Sequence, residues 1–179
     1  MIKDRTAAKN RSKSLTLAML KRQNIKRLHQ IERDLAAIEK EMLCLIDSDK
    51  KMARTYHILC SIPGIAKITA ATLIVEILEL GTLTSKAVAS LSGLAPFARE
   101  SGKWKGSRFI GGGRKFLREA LYMPALVAMR FNPDMKTKYQ HLKDAQKPSK
   151  VAITAIMRKL IILANALVKN NRMWVNNRA

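Results

Sequence analysis

Apolar residues in the first part of the chain, Leu28, Ile31, Leu35, Ile38, Met42 and Leu45, recur at alternating spacings of three and four. On a helix this spacing makes one narrow stripe, the seam of a coiled coil. Neither Gly nor Pro interrupts residues 5–46, so the pattern predicts a single long helix, an arm over residues 1–50. The stripe has to pack on something. An intramolecular hairpin satisfies it as well as a second copy or a partner helix does; homo-oligomerisation through the coiled coil is the expectation.

Residues 51–179 read as a second region, a compact helical domain. The run Leu59-Cys-Ser-Ile-Pro-Gly-Ile-Ala-Lys-Ile-Thr-Ala-Ala-Thr-Leu-Ile predicts a short helix, a tight turn at Pro63-Gly64 and a second helix, a helix-hairpin-helix over about residues 58–78. In that motif Gly64 permits the turn, and the amides opening the second helix attract a phosphate. Lys67 and Thr69 stand where they assist. A plain helix–turn–helix pair is the other reading, because Ala66 occupies the place of a usual second glycine.

Thr84 or Ser85 caps a short helix ending near Gly93. Residues 94–113 then lose helical periodicity and carry five glycines, a loop with room for a short hairpin around Gly102 to Phe109. Structureless loops of this length are uncommon in compact domains and are usually functional or disordered; Trp104, Phe109 and Ile110 argue for order. Beyond it, residues 114–130 read as a helix kinked at Pro124, whose missing amide removes one ladder bond. Asn132-Pro133 opens a helix to about Lys143. The last helix, about 150–169, is apolar on nearly all sides and predicts the central core element. The fold class expected is all-α: a long coiled-coil helix, then a bundle containing the helix-hairpin-helix and a basic Gly-rich loop.

Charge changes this picture from a bundle to a bundle with a partner. Thirty-four Lys and Arg against 13 Asp and Glu give a net charge of +21, far beyond what solubility needs, and imply a polyanion. The excess is +9 over residues 94–150. Seven basic residues, Arg99, Lys103, Lys105, Arg108, Arg114, Lys115 and Arg118, face one acid, Glu100, between residues 99 and 118. Interleaved with Trp104 and Phe109, they suit phosphate contact with stacking on bases or sugars. The triplet Gly111-Gly112-Gly113 either lets backbone approach a phosphate or serves as a joint. The basic residues of the arm (Lys9, Arg11, Lys13, Lys21, Arg22) read as a solvated face.

Conventional catalytic sets are lacking. His29, His57 and His141 are scattered, no acidic cluster suggests a metal pair, and Cys44 and Cys60 read as buried, reduced thiols. Arg158 and Lys159 interrupt the most apolar stretch, so no membrane span is expected, and the N-terminus has no apolar signal-peptide core. Ser101 is the hydroxyl inside the basic segment, with Gly102 leaving space around it. A serine attacking a phosphodiester needs its proton removed and the phosphorane charge balanced, and guanidinium groups can do the second.

The ordered succession Ile62-Pro-Gly-Ile, Thr69-Ala-Ala-Thr-Leu, Leu91-Ser-Gly-Leu-Ala-Pro, Arg99-Glu-Ser-Gly-Lys-Trp-Lys-Gly, Ile110-Gly-Gly-Gly-Arg, Leu117-Arg-Glu-Ala-Leu-Tyr-Met, Asn132-Pro, Tyr139, Lys150-Val-Ala-Ile and Arg158-Lys-Leu resembles the C-terminal transposase domain of the "IS one-ten" insertion-sequence family. Arg5-Thr-Ala-Ala-Lys-Asn-Arg and the helix after it resemble the coiled coil that precedes that domain. The resemblance implies DNA transposition directed by a structured guide RNA, with Ser101 as nucleophile. It also implies a divalent metal held by an acidic RNase H-like domain that has no counterpart in these residues, so no cofactor is expected in this chain itself. The expectation is a truncated copy rather than a separately encoded half, inactive alone, bacterial and cytoplasmic, and nucleoid-associated when bound to DNA. The alternative is a non-catalytic helix-hairpin-helix nucleic-acid-binding or architectural protein.

Overall fold

The computed structural model describes the chain except residues 99, 102, 103, 107 and 177–179, and gives the backbone alone at residues 100, 101, 104 and 105. Two compact units emerge, Met1–Asp49 and Lys50–Ala179.

In the first unit the expected single helix is two: α1 (Ile2–Ser14) and α2 (Ala18–Ser48). Leu15 and Leu17 adopt extended backbone, and α1 folds back to pack on α2. The contact is made by a small residue and a polar one. Ala8 is fully buried, and the buried Asn24 side-chain amide donates to the Ala8 carbonyl at 2.8 Å and to Ser12 Oγ at 2.7 Å. Lys9 and Glu32 add an ion pair at 3.5 Å. Absence of Gly and Pro permits a long helix without requiring one. Since α1 has no apolar stripe, these polar contacts to α2 decide its course. Of the seam, Ile31 is buried while Ile38 and Leu45 stay exposed.

The second unit is a helical bundle, so the all-α expectation holds. Its helices are α3 (Lys50–Cys60), α4 (Lys67–Glu76), α5 (Ser85–Leu91), α6 (Lys115–Ala120), α7 (Tyr122–Phe131), α8 (Pro133–Asp144) and α9 (Ser149–Lys169). At its centre α9 packs against α3, α5, α7 and α8, with Ala152, Ile156, Leu160, Ile161 and Ala164 fully buried. This helix is long and apolar enough to cross a bilayer, but its apolar side chains make the protein interior instead. Its buried Asn165 also ties down the 77–84 connection, accepting from the Gly81 amide and donating to the Leu83 carbonyl, both at 2.8 Å.

Helix boundaries follow their local chemistry. Thr84 Oγ1 accepts from the Ala87 amide at 3.2 Å to cap α5. Asn132 Oδ1 accepts from the Asp134 and Met135 amides at 3.1 and 3.3 Å, with Pro133 in the first turn of α8. The helix expected over 114–130 breaks into α6 and α7 at Leu121, three residues ahead of the expected kink. Proline lacks the amide that would bond the carbonyl four residues back and crowds that carbonyl; for Pro124 that residue is Ala120, the last of α6.

Candidate nucleic-acid interface

The segment 94–113 is more ordered than a loop. Strand β1 (Pro96–Phe97) pairs antiparallel with β4 (Phe109–Ile110), and β2 (Glu100–Ser101) with β3 (Trp104–Lys105). Their registers, Pro96 opposite Ile110, Phe97 opposite Phe109, Glu100 opposite Lys105 and Ser101 opposite Trp104, describe one narrow ribbon. Ser101 thus occupies the last paired position before the two residues 102 and 103.

Glycines clamp the ribbon's base. Gly93, at φ +62°, ends α5 in the left-handed conformation, and the Leu94 amide returns to the Ala89 carbonyl at 2.8 Å, a glycine C-cap. The chain re-enters α6 through Gly112 and Gly113, at φ +62° and +60°. A Cβ at Gly113 would meet the backbone of Gly93 and Leu91, so the two ends of the segment touch. The Arg114 amide seals them by donating to the Leu91 carbonyl at 2.8 Å. Arg118 Nη1 donates to the Gly112 carbonyl at 2.9 Å and lies 3.5 Å from the Gly93 oxygen.

These contacts sort the expected site residues. Arg118 holds the ribbon's base, and Arg114 lies 3.6 Å from Glu79; both have structural work that the sequence pattern does not reveal. Lys115 is exposed beside Glu119 at 3.8 Å, and Arg108 is exposed on the ribbon. Arg99 and Lys103 lie outside the described residues, as do the side chains of Ser101 and Lys105. Of the Gly triplet, Gly112 and Gly113 take the left-handed backbone that other residues adopt only at a cost, and Gly113 makes the close approach to Gly93.

At the other expected site, α3, the Pro63-Gly64 turn and α4 stand where the spacing puts them, with the Ile65 amide donating to the Ile62 carbonyl at 2.9 Å. Gly64, at φ +106°, has a packing reason of its own: a Cβ there would sit 2.7 Å from the Pro124 carbonyl and 2.8 Å from Ala128 Cβ on α7. Lys67 is exposed and Thr69 half-buried at the start of α4. Nearby, Cys60, expected to be buried, is half-buried; burial pushes its thiol up, against the opposing influence of the Tyr56 hydrogen bond and the Lys67 charge. Cys44, expected to be buried, is exposed on α2, outside the arm's packed face.

Two features escaped the sequence reading. The fold-back of α1 sets its basic residues near those of early α2: Asp4, whose carboxyl the N-terminal amine holds low, also feels Arg27 and Arg11. Residues 1–27 carry nine Lys and Arg against one acid, whereas 28–50 carry three against six, so the arm is polar end to end. That charge step was visible in the sequence, but only folding makes it one surface. The second feature is aromatic. Phe97 and Phe109, opposite each other on the ribbon, have ring centroids 5.9 Å apart and are 46% and 48% exposed.

Among the described residues no three His, Cys, Asp or Glu side chains gather as a metal site would require.

Comparison with known proteins gives a consistent answer. Residues 56–140 match the transposase IS116/IS110/IS902 family. The chain is 33% identical over 142 residues to the pilin gene-inverting protein of Moraxella bovis, covering 77% of this chain and 44% of that protein; the Moraxella lacunata protein of the same name matches equally. A 43.6 kDa insertion element IS110 protein of Streptomyces coelicolor is 29% identical over 120 residues, 65% of this chain and 29% of its own length. The chain therefore spans less than half the length of these curated relatives.

Proposed function

The chain belongs to the transposase IS116/IS110/IS902 family through residues 56–140, and from that premise we propose that it is the DNA-binding part of a recombinase that moves or inverts DNA segments. The observation carrying this reading is the clamped ribbon: a basic segment on a fixed base, with Ser101 at its last paired position. Arg108 and Lys115, together with Arg99, Lys103 and Lys105 of the same basic segment, neutralise DNA phosphates. Lys67, Thr69 and the α4 amides beside the Gly64 turn supply a second phosphate contact.

Ser101 is the nucleophile in this scheme. Its hydroxyl loses a proton to a base, its oxygen bonds the phosphorus of one strand, and the bond to the departing strand end breaks, leaving a phosphoserine ester and a free hydroxyl. Rejoining reverses these steps with a different strand end. Cations around the phosphate stabilise the charge that accumulates on the phosphorane oxygens. Metal chemistry, if the reaction uses any, comes from an acidic domain acting with this chain, and a structured guide RNA is a second polyanionic partner. Alone, residues 1–179 bind DNA without cutting it. They act in the bacterial cytoplasm, on the nucleoid.

Salt titration tests the ribbon's part. Neutralising about six phosphates makes log K fall with log salt at a slope of about −5 on duplex DNA. Replacing Lys103, Lys105 and Arg108 together by Ala should flatten the slope by up to about three, as each lost phosphate contact removes nearly one. An unchanged slope would move the DNA to the basic half of the arm or to the Gly64 turn.

Pairing of α2 with a second copy through the exposed Ile38 and Leu45, flanked by the half-buried Leu35 and Met42, covers the rest of the seam. Ile38→Lys with Leu45→Lys, charges at seam positions, should convert a dimer to a monomer in sedimentation equilibrium while leaving helical content unchanged. A wild-type chain monomeric at high concentration would remove this interface.

A further inference from the structure

The aromatic residues of this protein are distributed against expectation. Phenylalanine is ordinarily among the most buried residue types, yet all four phenylalanines of the chain are on the surface, Phe116 at 63% and Phe131 at 71% exposure in addition to the ribbon pair. The interior is filled by Leu, Ile, Ala and Met, with Tyr56 its one aromatic among the described residues. Three of the phenylalanines directly follow a basic residue, in Arg108-Phe109, Lys115-Phe116 and Arg130-Phe131, and all three of those cations are exposed. An exposed ring beside an exposed cation is costly to present to water and suits a ligand that offers both a flat surface and negative charge. Nucleic acid offers a flat base for the ring and a phosphate for the charge.

The ribbon carries this arrangement furthest. Direct opposition in the antiparallel register puts Phe97 and Phe109 on the same ribbon face, and the rings tilt by 31° across 5.9 Å, a contacting aromatic pair rather than two isolated rings. The adjacent rung is not equivalent: Ile110, opposite Pro96, is half-buried, while both phenylalanines keep about half their surface in solvent. The clamp at Gly93 and Gly113 anchors the base of the strands that bear them.

We propose that the Phe97–Phe109 pair is a stacking platform for unpaired nucleobases, with Arg108 on an adjoining phosphate, so that the ribbon engages single-stranded or locally opened nucleic acid. This rests on the ribbon being the nucleic-acid contact. A base in an intact duplex has both faces covered by its neighbours and offers no surface to such a platform; a base in a single strand or an opened step does.

Stacking and charge are separable by experiment. The full chain and its Phe97→Leu, Phe109→Leu and double Leu variants are titrated with a fluorescently labelled oligothymidine and with a duplex of the same length, each at several salt concentrations. The double variant should bind the single strand about tenfold or more weakly, with the salt slope and the duplex affinity unchanged, because no cation has been removed. Each single variant should fall between. Full single-strand affinity in the double variant overturns the platform, while a flattened slope in the Lys103, Lys105 and Arg108 triple variant at the same time keeps the ribbon as the contact. If that triple variant leaves both slopes untouched, the ribbon reading itself fails. Loss of a dimer by the Leu variants at unchanged affinity would also overturn the platform and assign the rings to a protein interface. Circular dichroism confirms that each variant keeps its helices; if the double variant does not, the single variants carry the test.

Discussion

Gly113→Ala should destabilise the second unit by about 2–5 kcal/mol, whereas Gly112→Ala, its neighbour, should cost only about 1–2 kcal/mol. The two glycines have nearly the same backbone, φ +60° and +62°, so an L-residue suffers the same left-handed penalty at each. They differ in what the added methyl meets. Nothing lies within 4 Å of a Cβ at Gly112, while at Gly113 it would run into the backbone of Gly93 and Leu91. Backbone does not rotate away as a side chain does, so the clamp must open, and the Arg114 bond to Leu91 opens with it. Urea unfolding of the two variants measures the difference directly. Because the clamp carries the ribbon, Gly113→Ala should also weaken DNA binding out of proportion to the change in charge, which is none. Equal costs at the two positions would mean that the ends of the segment do not touch as described.

Most of the bundle was legible because its signals are local. Thr84, Asn132-Pro133 and the apolar run of α9 each state an element's start or role within a few residues, and each element stands where its signal lies. The arm was misread for the opposite reason. An uninterrupted stretch without Gly or Pro says that a helix is allowed, but the turn at residues 15–17 depends on Asn24 reaching Ala8 and Ser12, a contact across 16 residues that no periodicity records. Pro124 was recognised as a disturbance, and the break came at Leu121 because the lost bond is to the residue four back.

The candidate site was legible in its chemistry more than in its geometry. Density of charge identifies the segment 94–113, but counting does not say which protein groups its cations also contact. Beside the phosphate role that the sequence pattern assigns them, Arg118 contacts the Gly112 carbonyl and Arg114 lies near Glu79. The glycine triplet looked like a joint or a phosphate nest, and its partner in the clamp, Gly93, lies 20 residues upstream, beyond any local pattern. The opposition of Phe97 and Phe109 likewise depends on strand register, which no local pattern states.

Ser101→Ala should abolish strand exchange when the chain is supplied with the acidic domain and guide RNA that its family resemblance implies. The substitution removes one oxygen and no charge, so the salt dependence of DNA binding should stay as it was, and the small change at a strand position of the ribbon leaves the Gly93–Gly113 clamp alone. A nucleophile differs from a positioning residue in kind: without it no covalent intermediate forms, so the loss should be about 10⁴-fold or greater rather than a graded decline. The most direct measurement is denaturing electrophoresis of the reaction with end-labelled DNA, followed by peptide mapping of any protein–DNA adduct. The wild-type chain should yield an adduct whose DNA is attached at Ser101, and the Ala variant should bind the same DNA and yield none. An adduct formed by the Ala variant, or one mapped to another residue, would contradict the assignment.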